Sequence, residues 1–591
     1  MKKTQLAAWV ALLGFSAAAH AGPFSNTYFL GDSLTDSGQF MGQRFTTNPG
    51  AVWSQQLADK LGTSADPSSK QGTNYAVGGA RVGVDSSTTV GGVTVPIPSL
   101  RTQLQQLRAV EGNRLDSDAL YTVWGGANDL FAITAGAPAQ ATITSAIIEH
   151  VTVVSALSQA GARYILVPNI PDLGMTPAFA GNAAAGTQLG TAYNQALYGQ
   201  LANTKANVIP LDVAGLLHEA AANPASFGLK NVTTPACGAV SSLQCGPANL
   251  LEPNADKTYL FADGVHPTTA GHTVLADYAA AVLTAPQQVV VLAPAANQAG
   301  VAQMQRIDRR LHNVAEVQDS GVAVWGQGAA VLGSGDALGT ELDGTGSAWM
   351  LGVDKRIGAW TAGAFLAYDN LDGKLAAGSG YEQQRLAGGL YGRWQQQNLW
   401  LNGQVYYANL DVDSHRRVQL GVAERVHNSS ADGDQYGGKI SAGLNWQQGR
   451  VTHGPMIGVS AQKATVKSLK EDGKLSTAMS FDEQEHISIQ SSLGYQAQVA
   501  LNDAWHVYGS AQWQHEFKDV DDVVGARLNS VDKMHFVLPV KTGDAKNSGV
   551  LELGVNGNVT PQWQVGAGVL AQVGDAPNAQ TSLYLNTSYR F

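Results

Sequence analysis

Charge and cysteine are both scarce in this chain of 591 residues: only 14 % of positions are Asp, Glu, Lys or Arg, and the two cysteines are Cys237 and Cys245. A net charge of −10 argues against a broad phosphate-binding surface, so nucleic acid is not an expected partner. No apolar run approaches the length of a lipid-spanning helix, which points away from a helical membrane anchor. Also missing is any His/Cys/Asp cluster at metal-ligand spacing, so neither metal nor cofactor is expected. Glycine, at 67 residues, is abundant. The length exceeds one ordinary core and predicts two or more domains.

The first residues indicate export. Lys2 and Lys3 form a basic start, Leu6 to Ala19 an apolar stretch, and Ala19-His20-Ala21 presents small residues where a signal peptidase reads. Residues 1–21 are therefore expected to be a signal peptide. In an exported protein, Cys237 and Cys245 are expected to close a local disulfide around CGAVSSLQC, clipping one loop.

The rest of the chain has two halves with different periods. From Asn26 to about Thr284, apolar runs at 27–30, 119–124, 163–167 and 208–211 alternate with helical patterns at 52–61, 100–110, 142–159 and 191–202. Such alternation predicts an α/β fold, a parallel sheet flanked by helices, whose ligands sit at the carboxyl ends of the strands. After about Asp319 the period becomes two. Trp360, Ala362, Ala364, Leu366 and Tyr368 share one face opposite Thr361, Gly363 and Phe365. Leu399, Leu401, Val405 and Tyr407 repeat the pattern, as do Leu583, Leu585, Tyr589 and Phe591 at the end of the chain. Recurrent apolar-out, polar-in strands with aromatic girdles predict a C-terminal transmembrane β-barrel.

Long hydrophilic segments at 411–435 and 467–485 read as outer loops, and Lys355-Arg-Ile-Gly358 as a short turn. Between the halves, Val301, Met304, Ile307, Leu311 and Val314 line one helical face opposite Gln305, Arg309 and His312. The charges on this segment forbid lipid exposure and suit a water-filled lumen, so a lumen-spanning linker helix is expected. The expected divisions are residues 22–285 for the first domain, 286–318 for the linker helix and 319–591 for the barrel.

Chemistry concentrates in the first half. Ser33, in Gly31-Asp-Ser-Leu34, comes directly after a strand and is a candidate nucleophile; it needs a base oriented by a carboxylate. Asp263 and His266, in Phe261-Ala-Asp-Gly-Val-His-Pro-Thr268, supply a candidate pair. A tetrahedral oxyanion needs donors: the backbone N–H of Ser33, the N–H of Gly79 in NYAVGGA, and the side-chain amide of Asn128 in GGAND. Either of the last two segments alone also reads as a Gly-rich turn. Ser37 is expected to cap or turn the chain, Asp32 and Asp36 to order that turn, and His150, His218 and His272 to sit on helix surfaces or in satisfied interior positions.

The ordered blocks GDSL, NYAVGGA, GAND and DGVHP resemble those of the GDSL, or SGNH, hydrolase family, and with the helix and barrel the whole chain resembles autotransporter esterases of the EstA type. The resemblance implies an esterase or lipase with catalytic Ser33, Asp263 and His266 and oxyanion donors from Ser33, Gly79 and Asn128. It further implies an acyl-ester or lipid substrate and a Gram-negative outer-membrane location with the catalytic domain facing the exterior. Barrel assembly through the terminal Phe591 and a monomeric state are expected with it. A lysophospholipase or acyltransferase would use the same site. A surface adhesin with a vestigial hydrolase fold is the competing reading from another class.

Overall fold

The computed structural model describes residues 22–39, 42–90, 93–315, 321–337, 340–540, 546–574 and 580–591. The expected signal peptide, the end of the expected linker at 316–318 and the expected barrel start at 319 lie outside the described residues.

Four strands form the first sheet: β1 (Thr27–Gly31), β2 (Leu120–Trp124), β3 (Tyr164–Pro168) and β4 (Val208–Leu211). They pair in parallel in that order. Every residue in them is buried, the condition under which a strand reads as a continuous apolar run. Among the described residues, eight helices of eight or more residues surround or leave this sheet: α1 (Trp53–Leu61), α2 (Leu100–Glu111), α3 (Ala127–Thr134), α4 (Ala139–Gln159), α5 (Ala183–Leu201), α6 (Val213–Ala222), α7 (Thr269–Thr284) and α8 (Leu292–Ala315). Leu104 of α2, Val154 of α4 and Leu197 of α5 share one core; Leu57 of α1, Leu216 of α6 and Val282 of α7 belong to another. Contrary to the sequence reading, α4 is long and apolar enough to cross a bilayer at 21 residues. Its Val153, Val154 and Leu157 are buried in the core of the α/β domain instead.

The second half closes on itself. Twelve long antiparallel strands among the described residues run from Val322–Ala337 to Gln580–Arg590, and these two pair to complete the ring, with Leu583 opposite Ala330 and Leu585 opposite Gly328. Trp360, Leu366, Leu401, Val405, Leu585 and Tyr589 point outward and exposed, as a lipid-facing wall requires.

Inside lies α8. Its Val301, Met304, Ile307 and Leu311 pack against Phe365, Met350, Tyr406 and neighbouring wall residues. Ion pairs also pin the helix to the wall: Arg310 with Asp354 (2.8 Å), Asp308 with Lys439 (2.7 Å), and Arg309 with Glu552. A helix polar on one side and apolar on the other is therefore buried all round, because the lumen wall itself changes character around its circumference.

The long segments are not loops. Residues 411–435 continue the hairpin of Leu399–Leu420 and Ala423–Leu444, each 22 residues and therefore ~70 Å long at about 3.3 Å per residue. Leu410, Val412, Val418 and Leu420 stay buried in alternation, but against the α/β domain rather than lipid, which is why the opposite, polar face dominated the sequence. Residues 467–485 contribute Leu469–Lys470 and Met479–Phe481 to a small sheet with Val523–Leu528 and Phe536–Pro539. This sheet shares its core with α7. Tyr278 of α7 donates to the Ser476 carbonyl (2.9 Å), Gly421 N–H donates to Asp277 (2.7 Å), and Glu219 pairs with Arg425 (2.8 Å).

Candidate active site

Strand β1 delivers the candidate serine through a clamp. Buried Gln103 accepts from the Gly31 N–H (2.8 Å) and donates to the Gly31 carbonyl (2.9 Å), fixing the peptide groups on either side of the Gly31 Cα. A side chain at Gly31 would strike the Trp124 carbonyl, so glycine is required. The chain then turns sharply: Thr35 and Asp36 N–H both reach the Asp32 carbonyl at 3.0 Å. Ser33 sits on this turn. No helix starts here. Asp36, not Ser37, orders the next residues, accepting from Gly38 and Gln39 N–H, while the Ser37 hydroxyl is buried without a hydrogen-bond partner among the described residues.

Asp263 and His266 come from the loop before α7, whose first turn is capped by Thr268 accepting from Gly271 N–H (3.2 Å). His266 Nε2 lies 2.9 Å from Ser33 Oγ, and Nδ1 lies 2.9 Å from both oxygens of Asp263. Backbone N–H groups of Val265 (3.0 Å) and His266 (2.9 Å) also donate to Asp263. Burial opposes charge on Asp263, but the hydrogen bond and charge of His266, with donors from Ser242 and Val265, outweigh it and hold the carboxyl well below its usual range. The Phe45 ring lies 5.0 Å from the imidazole, centroid to centroid.

Gly79 and Asn128 reach the same turn from different sides. The Thr73–Val77 segment runs along β1, with Tyr75 N–H on the Phe29 carbonyl (2.8 Å) and Val77 N–H on the Gly31 carbonyl (3.2 Å). Next, Gly78 N–H donates to Asp36 Oδ2 at 2.9 Å, bringing Gly79, at φ +84°, beside the Ser33 turn. Asn128 stands in the first turn of α3, its Nδ2 donating to the Ala80 carbonyl (2.9 Å) and lying 3.5 Å from Asp32 Oδ2. Asp129 ties the two segments together by accepting from Arg81 Nε and Val82 N–H, both at 3.0 Å. Burial pushes the carboxyls of Asp32 and Asp36 each up to about 6.

An apolar cleft adjoins these groups. Leu34 follows Ser33, Val265 and Pro267 flank His266, and Trp124 ends β2; all four line it, with Leu216 and Leu217 of α6 and Val274 of α7 opposite. The other histidines stay outside. His150 meets the Tyr193 hydroxyl (3.2 Å), His218 pairs with Asp172 (2.9 Å), and His272 Nδ1 accepts from Trp53 N–H (3.1 Å).

Residues 28–279 match the family described as GDSL-like lipase/acylhydrolase, and residues 324–569 match the autotransporter beta-domain. Curated relatives span nearly the full length. An uncharacterized protein of the trpE–trpG intergenic region of Pseudomonas putida is 30 % identical, covering 90 % of this chain and 95 % of that one. This chain belongs to the GDSL-like lipase/acylhydrolases. Lipase 1 of Photorhabdus luminescens is 26 % identical over 98 % of both chains, and esterase EstA of Pseudomonas aeruginosa is 28 % identical over 100 % of this chain and 99 % of that one. The GDSL domain makes the protein an ester-hydrolysing enzyme, and the autotransporter barrel makes it an outer-membrane protein.

Sequence reasoning missed Gln103, Ser242 and the contact of Asp36 with Gly78, though it expected Asp36 to order the turn. Gln103 and Asp36 act by buried contacts across 72 and 42 positions, which no local pattern reveals. Ser242, in the loop between the bonded Cys237 and Cys245, lies against Asp263 and His266. The signal for it was present: a clipped loop carrying serines shortly before the Asp-x-x-His block.

Proposed function

We propose that Ser33 is the nucleophile of a surface-displayed carboxylester hydrolase, with His266 its general base and acid and Asp263 the group that orients His266. The observation that carries this is the relay from Ser33 Oγ through Nε2 and Nδ1 of His266 to Asp263, with 2.9 Å at each step. Ser33 Oγ attacks the ester carbonyl carbon while its proton passes to His266 Nε2, and Asp263 stays ionised beside the imidazolium. Backbone N–H groups of Ser33 and Gly79 and the Asn128 amide hold the oxyanion. Collapse expels the alcohol, which takes the proton from His266. Water then repeats the cycle on the acyl-enzyme, releasing the acid and restoring Ser33.

The apolar cleft beside Leu34 and Val265 suits the acyl chain, so the substrate class is an ester with an apolar acyl group. The domain divisions match the chemistry: 22–285 catalytic, 286–318 plug, 319–591 barrel, after removal of 1–21. Barrel assembly uses the machinery that reads terminal Phe591, the mature protein is a monomer, and the catalytic domain faces the exterior. A fluorophosphonate applied to intact cells is expected to label the protein at Ser33, with labelling and hydrolysis of a short acyl ester both lost in Ser33→Ala. Hydrolysis by the Ser33→Ala protein refutes the mechanism, and labelling only after cell lysis refutes the orientation.

A further inference from the structure

The loop bracketed by Cys237 and Cys245 is built into the site. Ser242, fully buried, donates its backbone N–H to Asp263 Oδ2 at 2.8 Å and places its Oγ 3.1 Å from His266 Nδ1. Its position is fixed from three directions. Ala236 N–H donates to the Phe261 carbonyl (2.7 Å) and Cys237 N–H to the Ala262 carbonyl (3.1 Å), so the start of the loop is zipped to the segment running into Asp263. Asn48 donates through Nδ2 to the Ser242 carbonyl (2.8 Å) and through its N–H to the Cys245 carbonyl (2.7 Å). The disulfide, eight residues apart, closes the remainder.

We propose that Ser242 is a positioning residue of the triad, its N–H a fixed donor to Asp263 and its hydroxyl an acceptor for the Nδ1 proton of His266, and that the Cys237–Cys245 bond holds it there. This rests on the triad reading. Because Nε2 accepts from Ser33 in the resting enzyme, Nδ1 carries the ring proton, which Asp263 at 2.9 Å and the Ser242 oxygen at 3.1 Å share as acceptors. An acceptor at that point favours the imidazolium over the neutral ring, and the imidazolium is the form that develops as Ser33 attacks. The other ionisable groups acting on His266 are Asp263, Asp32 from the end of β1 and His272 from α7. Of these only Asp263 touches Ser242, and in Ser242→Ala it keeps the backbone N–H donor.

The test is Ser242→Ala in the full-length protein, with rates expressed per fluorophosphonate-labelled site so that only folded protein is counted. Expected are a fall in kcat of roughly tenfold, the loss of one hydrogen bond to a charged group, with KM unchanged. The acid limb of kcat/KM is expected to move down by about half a pH unit, because the imidazolium has lost an acceptor. The double variant Cys237→Ser/Cys245→Ser is expected to lower kcat at least as far. A wild-type kcat in Ser242→Ala, or a fall with the acid limb unmoved, overturns the assignment. Wild-type kcat in the double variant overturns the role of the disulfide. Ser33→Ala run alongside separates the two readings: hydrolysis surviving there refutes the triad itself.

Discussion

Asp36 offers a perturbation in which rate and stability separate. Its Oδ1 accepts from Gly38 and Gln39, and its Oδ2 accepts from Gly78 at 2.9 Å, the bond that brings the Gly78–Gly79 peptide to the Ser33 turn. In Asp36→Asn one acceptor becomes an NH₂ group facing an N–H donor. Because Oδ1 serves two donors, the amide nitrogen settles at the Gly78 side. The Gly79 N–H then loses its alignment with the developing oxyanion. Removal of such a donor costs about two to three orders of magnitude in rate, and misplacement costs less, so kcat is expected to fall ~10- to 100-fold with KM little changed. Hydrolysis of a short acyl ester by detergent-solubilised protein measures it.

Stability moves the other way. Burial pushes Asp36 up to about 6 from an ordinary carboxyl near 3.8, so the folded state holds this proton more tightly than the unfolded chain. Stability from this group is therefore greatest below pH 4, falls as pH rises from about 4 to 6, and is level above that; two pH units correspond to about 3 kcal/mol. The neutral amide removes that pH-dependent loss, offset by the unpaired Gly78 donor at about 1–3 kcal/mol. The catalytic domain of Asp36→Asn, monitored by helical circular dichroism, is expected to unfold within about 2 kcal/mol of wild type at pH 8, with a shallower decline between pH 4 and 6. Asp32, also raised to about 6, supplies the decline that remains. Wild-type kcat, or a rate loss matched by a proportionate loss of stability, refutes the idea that Asp36 acts by placing Gly79.

Two further outcomes are expected. Leu217→Trp, at the half-buried margin of the apolar cleft, is expected to lower kcat/KM for dodecanoyl esters at least tenfold and leave butyryl esters within about twofold. Each methylene denied burial removes about 0.8 kcal/mol, and equal losses for both esters would place the acyl chain elsewhere. Arg310→Ala leaves Asp354 buried without its cation, and the barrel's heat-modifiable transition is expected to fall by the equivalent of about 3–5 kcal/mol. Arg310→Met with Asp354→Leu is expected to recover most of that loss, and an unmoved transition in Arg310→Ala would show that the pair does not hold α8.

The strands were legible because each is a uniformly buried apolar run, and the barrel because its alternation faces lipid on one side throughout. Less was readable where side chains are small. The sequence reading started α5 at residue 191, but the helix begins at Ala183, since AAAGTQLG carries no apolar period. The upper hairpin was hidden for another reason: its apolar residues alternate correctly but meet another part of the same chain. That Ser33, Asp263 and His266 would come together could be expected because serine chemistry demands a base and a carboxylate and few candidates existed. The Ser242 contacts and the Asp36–Gly78 bond could not, because each joins residues 21 to 42 positions apart and no local pattern announces it.

The catalytic loop and the barrel are also mechanically joined. Thr268 caps α7 two residues after His266, and α7 ends at Thr284, where the chain bends by 40° into the helix that fills the lumen. Along its length α7 is held by Gly421 and Ser476, both carried by barrel extensions, and Val274, Ala276 and Val282 share one core with Leu420, Met479 and Phe481. The loop bearing Asp263 and His266 is thus fixed at one end by the clipped Ser242 loop and at the other by a helix that the barrel grips. On the proposed triad, an acid–base relay tolerates errors of only a few tenths of an ångström, and the barrel extensions would then serve catalysis as rigid supports. The chain that anchors the enzyme in the membrane is the same chain that holds His266 against Ser33.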